Sequence, residues 1–383
     1  MNPRTLRIFA VLAVIGLAVA WWAAGRGAST GDETGAGEAF LPGFSERVND
    51  VAAIEVDDGA APVRFEKREA KWVDPARGGY PVQSEEIKRL LLGLRALEKH
   101  EAKTARPERH AELKLATTGE AAERGKVLKL WVAGQEAPAW EIVIGESKWS
   151  PVRGVYARMA GEDQCWFVSG EVALPYQATA WLDKEVANVN QQDVARIVLV
   201  RGEESFTITR PDDATPWTLA ELPEGRALKE FSPFGSLANV LGYLNFDDVA
   251  PAADERFARG PDAVAEFGFF HGGSIRLEGW KVGEGDSPEL WVRLASAPPT
   301  VEAPPEPPAE DGVEGPQEGP RGPSAATLSQ WEAKWQGWVY KLPAYKATAL
   351  LQDLEDWLEP LPEEPAVEEA AHEADDGHDH GDD

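Results

Sequence analysis

The sequence holds one cysteine, two methionines and six histidines in 383 residues. A lone Cys165 excludes an intrachain disulfide, and in the strand-like stretch CWFV it reads as a small buried side chain. Three of the histidines, His372, His378 and His380, fall in the last dozen residues, which leaves His100, His110 and His271 for the rest of the chain. No phosphate-cradling loop, dinucleotide fingerprint, Gly-x-Ser-x-Gly elbow or zinc-spaced Cys/His cluster occurs before that tail. Basic residues are also scarce: 38 Lys and Arg stand against 66 Asp and Glu, a formal charge of -28. Such a balance excludes a surface that tracks phosphates, and nucleic acid with it.

Only one apolar run is long enough to meet a bilayer. MNPRTLRIFAVLAVIGLAVAWWAAGRG places Arg4 and Arg7 ahead of an uncharged stretch from Ile8 to Ala24. Positive charge before the run predicts that the start stays in the cytoplasm and that all later residues cross the membrane. Seventeen residues is short for a span and long for a signal core. AVA at Ala18 to Ala20 resembles a cleavage site, but Trp21 and Trp22 would follow it and fit better as an interfacial belt. The reading favours an uncleaved anchor over residues 1–25. No Cys follows the run, so lipidation there is excluded.

Beyond the anchor, residues 26–44 are Gly, Ser, Thr and acid, read as a flexible tether. The chain then says similar things twice. VAAIEVDDGAAPVRFEKREAKWVD from Val51 matches VARIVLVRGEESFTITRPDDATPWTL from Val194: alternating apolar residues, a turn, a second alternating run and a Trp. SEEIKRLLLGLRALEKH is matched by SPFGSLANVLGYLN, and KVLKLWV with WEIVIG by SIRLEGW with LWVRLA. LPYQATAWL from Leu174 is matched by LPAYKATALL from Leu342. In the first helix Ser84 is the expected N-cap, with Ile87, Leu90, Leu91, Leu94 and Leu97 as the apolar stripe. Pro175 is expected in the first turn of a closing helix, whose counterpart ends at Trp357 and Leu358.

The shift between copies is 143 residues from Val51 to Val194 but 168 from Leu174 to Leu342, so material is inserted late in the second copy. Residues 297–325, rich in Pro, Glu and Gly, read as that insertion and as disordered. The expected fold class is α+β: two tandem similar subdomains of mostly antiparallel sheet with helices on one face, after one N-terminal transmembrane helix. The first repeat is placed at 45–190 and the second at 191–360. A disordered acidic tail, 361–383, holds ten acidic residues and no Lys or Arg. Fifteen Trp are read mainly as sheet and core packing.

The anchor, the IEV, VRFEK and KWV strands, the YPVQSEEIKRLLLGLRALEKHEAKTA helix and the strand-rich stretch after it resemble the bacterial DUF4340 family, with the domain present twice. The resemblance implies a single-pass protein of the bacterial inner membrane, its bulk in the periplasm or extracytoplasmic space. It also implies genomic company with an ABC permease and a gliding-type auxiliary subunit. It carries no activity and no catalytic residue.

Chemistry finds little support of its own. His100 and His110 are flanked by Lys and Arg and read as solvated, and HGG at His271 reads as a tight turn before a strand. The tail histidines with their carboxylates could hold a metal loosely, though the reading assigns them to a solubilising end. No catalytic, cofactor or metal residue is assigned. The expected function is a non-enzymatic, membrane-anchored accessory or scaffold protein. The alternatives are an envelope ligand or glycan binding module and, remotely, a hydrolase using His271.

Overall fold

A computed structural model describes residues 36–59, 61–174, 177–229, 234–285, 288–298 and 322–360. The anchor at 1–25 and the tail at 361–383 lie outside them, as does the middle of the Pro-rich insertion. Among the described residues no helix is long and apolar enough to cross a membrane. The chain divides into two units. The first gathers the residues up to Glu185 with Phe246–Asp254 and Gly337–Tyr340, and the second gathers Val186–Asn245, Glu255–Gln336 and the residues from Lys341.

The first unit is built on nine strands: β1 (Val51–Asp57), β2 (Val63–Arg68), β3 (Lys71–Asp74), β4 (Tyr80–Pro81), β5 (Glu98–Ala102), β6 (Lys126–Val132), β7 (Trp140–Lys148), β8 (Gly154–Met159) and β9 (Trp166–Ser169). Their order is β4-β3-β2-β1-β6-β7-β8-β9-β5, antiparallel throughout. Alternation in the sequence becomes alternation in burial: Ile54, Val56, Phe65, Leu128 and Leu130 point inward. Helix α1 (Ser84–Arg95) separates β4 from β5, so it carries the chain from one edge of the sheet to the other. Its buried face is Ile87, Leu90 and Leu94, and Leu97 follows it into the core, while Leu91 is half-buried. The N-cap is Gln83, not Ser84, and no side chain caps the helix. The Gln83 amide instead donates to the Leu182 carbonyl at 2.8 Å and its backbone N–H to that of Trp181 at 2.8 Å, which fixes the chain one residue earlier.

The tether ends sooner than its composition suggests. Ala39 bridges Glu98, the Gly37 N–H donates to the Lys99 carbonyl at 2.8 Å, and Lys99 N–H donates to Glu38 at 2.8 Å. Phe40, Leu41 and Phe44 are buried, and the Phe44 ring meets Trp140 edge-on at 5.0 Å. Folded structure therefore reaches back at least to residue 37, ahead of the expected boundary at 45, because three large apolar side chains sit within a Gly-rich context.

The remaining strands are β10 (Glu185–Ala187), β11 (Val194–Arg201), β12 (Glu204–Thr209), β13 (Thr218–Leu219), β14 (Leu244–Asn245), β15 (Asp248–Pro251), β16 (Ala263–Phe269), β17 (Ser274–Val282), β18 (Glu289–Ala297) and β19 (Trp338–Lys341). In the second unit the order β13-β12-β11-β16-β17-β18 repeats β3-β2-β1-β6-β7-β8 of the first. The register slips at the same place in both: between Val51 and Ala53 where β1 meets β6, and between Val194 and Arg196 where β11 meets β16. The positional partners of β6 and β7 are therefore β16 (AVAEFGF) and β17, one strand earlier than the sequence match of KVLKLWV to SIRLEGW. Alternating apolar strands look alike, so only adjacency to β1 and β11 sets the correspondence.

Four helices complete the second unit: α2 (Phe234–Ala238), α3 (Ala325–Trp335), α4 (Ala344–Leu351) and α5 (Leu354–Trp357). Ser324 caps α3 by accepting from the Thr327 N–H at 3.1 Å, and Glu332 of α3 accepts from the Ser296 N–H of β18 at 2.6 Å. Leu350 of α4 lines a small cavity together with Leu199, Ala265, Leu277 and Val292. The closing-helix expectation has a different outcome in each of the two stretches. Of LPYQATAWL the described residues show the 3-10 turn Ala178–Trp181, with Pro175 outside them, whereas LPAYKATALL forms the expected helix, α4, which stops at Leu351 before the separate turn α5 instead of running on to Trp357 and Leu358. The stop follows from Asp353, whose side chain and that of Asp356 form a capping box that starts a new helix.

Candidate functional site

A cleft lies at the β5 edge of the first sheet. Cross-strand register sets Tyr156 of β8 opposite Phe167 of β9, and Phe167 opposite Glu101 of β5. The two rings meet at 5.5 Å and 61°, and both are nearly buried. They form an aromatic floor over a core of Leu115, Val143 and Cys165. A register slip between Lys99 and Glu101 marks a bulge at His100, whose ring meets Phe167 at 5.8 Å. The rim is completed by Lys103, in a 2.5 Å ion pair with Glu101, and by Lys148, whose ammonium lies 5.4 Å from the Tyr156 ring centre. Ser150, Pro151 and Val152 close the far side of a space of about 280 Å³.

Two lysines beside two aromatic rings, one of them already paired with Glu101, can hold a polar group by charge and a flat apolar group by stacking. Bond-making chemistry needs more. No hydrogen bond joins Ser150 to His100, and among the described residues no group of three or more His, Cys, Asp or Glu side chains is placed to hold a metal ion.

Beneath the cleft the chain buries polar groups against carbonyls. His110 is buried, with Nε2 3.0 Å from the Asp163 carbonyl oxygen, which corrects its reading as a solvated residue. The loop from Pro107 to Leu115 turns inward and takes the ring with it, as Leu115 is fully buried. Arg158 is buried too, donating to the carbonyls of Leu115, Met159 and Glu162 at 3.2, 3.4 and 3.2 Å. Cys165 lies among them with its thiol pushed up by burial, against the pull of Arg158. Such a thiol is a poor nucleophile.

A second constellation in the first unit is structural. Arg77 donates to Asp74 at 2.7 Å and to Asp248 at 2.6 Å. Burial works against its charge, but the hydrogen bonds to Asp248 and Asp74 hold its guanidinium above the ordinary range. Next to it in sequence, Tyr80 donates to the Asp183 carbonyl at 3.1 Å and packs edge-on against Phe246, Trp338 and Tyr340. Burial raises both the Tyr80 and the Tyr340 hydroxyl. These contacts gather Phe246–Asp254 and Gly337–Tyr340 into the first unit.

His271 sits exposed in the hairpin between β16 and β17, where the Phe269 N–H donates to Gly273 at 3.2 Å and Gly272 N–H to Phe269 at 3.0 Å. His372, His378 and His380 lie outside the described residues. Of the sequence-stressed tryptophans, Trp72, Trp140, Trp280 and Trp291 are buried, while Trp131, Trp166, Trp217 and Trp338 are half-buried. Arg64 lies over Trp131 at 4.3 Å and Arg210 over Trp217 at 4.3 Å. Among the described residues Trp149 is exposed, at 66%, beside the cleft under Arg153. Lys148, Tyr156 and Phe167 carry no signal in the sequence, since a strand residue announces its cross-strand neighbours nowhere.

Fold and cleft together define a protein built on two mostly antiparallel sheets, with an aromatic-floored cleft at the edge of the first. The family described as Domain of unknown function (DUF4340) matches residues 72–263, half of the chain, and the chain belongs to that family. The match runs once, from β3 of the first unit to the start of β16 in the second, so its limits are not those of the repeated sheets. No curated protein and no solved structure matches the chain.

Proposed function

We propose that this protein is a non-enzymatic accessory or scaffold protein of an envelope transport complex, held by residues 1–25 in the bacterial inner membrane with its bulk on the extracytoplasmic side. Support comes from Arg4 and Arg7 before the apolar run Ile8 to Ala24, and from the small number of residues between that run and Gly37, where the described chain already pairs with the first sheet. So short a connection keeps the first sheet close to the bilayer, where a permease and its auxiliary subunit would be met. The two sheets arose by duplication. The shared strand order and the shared register slip after Val51 and Val194 are the observations that carry this part, since unrelated sheets have no reason to slip at the same residue. The insertion in the second copy then falls between β18 and β19, along with α3.

Crosslinking in intact membranes, followed by mass spectrometry of the neighbours, tests the role. Recovery of an ABC permease or auxiliary subunit supports it. An anchored chain with no protein neighbour favours a second reading, that of an envelope ligand-binding module, which the cleft floored by Tyr156 and Phe167 supports.

A further inference from the structure

Among the described residues the two most exposed large hydrophobic side chains are Tyr243 at 75% and Tyr345 at 69%, and they flank one point of the second unit. That point is the ammonium of Lys346. It donates to the carbonyls of Asn239 and of Gly242, the latter at 2.7 Å and next in sequence to Tyr243, and it lies 5.6 Å from the Tyr345 ring centre. Lys346 itself is 4% exposed, so it braces the surface from beneath rather than charging it.

Three segments meet here. The Val189 N–H donates to Leu241 at 3.0 Å and the Tyr243 N–H to Asn188 Oδ1 at 3.0 Å, while Lys346 ties in the third. Residues 186–192, 234–245 and 342–352 contain one charged residue, the buried Lys346. At the chain's average of 27% charged, 30 residues would carry about eight. These segments thus present no exposed charged side chain on a molecule of charge -28, and they display aromatic rings with the exposed amides of Asn188 and Asn239.

Tyr243 also holds a left-handed backbone, φ 44°, where glycine is favoured. An exposed ring adds nothing to the core, so the fold alone gives no reason for a tyrosine at a strained position. Such conflicts between local preference and residue type mark functional sites.

We propose that Tyr243 and Tyr345 form a docking surface for a neutral saccharide chain. Phenol rings stack on the C–H faces of sugar rings, and the Asn188 and Asn239 amides match their hydroxyls. Neutrality fits a ligand without charge, whereas the field of a strongly acidic protein repels an acidic polymer. This site is separate from the cleft and does not depend on the accessory role.

The test uses the full-length protein in nanodiscs, which avoids sugar-headed detergents. Titration calorimetry is run against neutral hexasaccharides of the cello-, malto-, xylo- and chito- series and against an oligogalacturonate. The expected result is binding of at least one neutral series, insensitive to salt, with affinity falling tenfold or more in Tyr243→Ser and in Tyr345→Ser but unchanged in Leu222→Ser, an exposed site elsewhere. Tyr243→Gly is expected to lose binding while keeping or raising the melting temperature, which separates recognition from folding. No binding of any neutral series, binding only of the acidic chain, or binding that survives the double Tyr variant or disappears with Trp149→Ser overturns the proposal.

Discussion

Ala70 and Gly78 show how much a single backbone angle decides. Glu69 and Ala70, at φ 47° and 68°, form the two-residue loop that returns β2 onto β3, a turn that suits Asn-Gly. Replacing Glu69-Ala70 by Asn-Gly is expected to stabilise the first unit by about 1 kcal/mol, read as a shifted urea midpoint at constant slope. Gly78 is the opposite case. It has φ 66°, and an added Cβ would lie 2.2 Å from Pro251 Cγ. Gly78→Ala should therefore cost roughly 2 kcal/mol or more, and equal stability in denaturant would contradict the close approach of Pro251. At Lys346, burial lowers the ammonium below the usual lysine range. Protons then bind the unfolded chain more readily than the folded one between the two values, so stability rises with pH through that alkaline window. Wild type is expected to gain stability relative to Lys346→Met as pH approaches about 10.4, the ordinary lysine value; a gap constant with pH would refute the burial of the charge.

Among elements, α1 and the segment before β1 depend on opposite kinds of information. The 3.6-residue spacing of Ile87, Leu90 and Leu94 marks the buried face of α1 in advance. Leu90→Ala is expected to cost ~2–5 kcal/mol, against at most about 0.5 for Leu92→Ala, whose side chain is 49% exposed. The segment Gly37 to Phe44 has no period to detect, yet it zips to β5 and supplies Phe40, Leu41 and Phe44 to the core. Phe44→Ala should destabilise by about 3–5 kcal/mol and change Trp140 fluorescence, because Phe44 is the edge-on partner of that indole. A chain beginning at residue 45 that unfolded at the same urea concentration as the full-length protein would contradict the zipped edge.

At the scale of the whole molecule, the strands cross between units: β15 lies in the first unit, although its chain neighbours belong to the second. Separate expression of the two sequence halves, 37–190 and 191–360, should therefore give poorly folded products, and co-expression should restore the fold. Independent, cooperative unfolding of each half would refute the interleaving. Membrane placement has its own test. A reporter active only outside the cytoplasm, fused after residue 360, is expected to be active and membrane-bound, with Met1 retained; an active reporter in the soluble fraction would sink the anchor.

What the sequence determined by itself was periodic: the strands of both sheets, the apolar face of α1, and the fact that two stretches read alike. Side chains that alternate every two residues or recur every 3.6 state their own element, because burial on one face is a local property of the chain. Family membership was equally legible, in the helix and strands between residues 72 and 263. Partner strands were not. The match of β6 with β16 and of β7 with β17 awaited the sheet order, since one alternating strand can replace another without changing the pattern. The inward turn of His110, the bulge at His100, the meeting of Tyr156 with Phe167 and the placing of Lys346 between the Tyr345 ring and the Gly242 carbonyl belong to tertiary structure alone. Each joins residues distant along the chain or depends on a backbone irregularity, and no local periodicity encodes either.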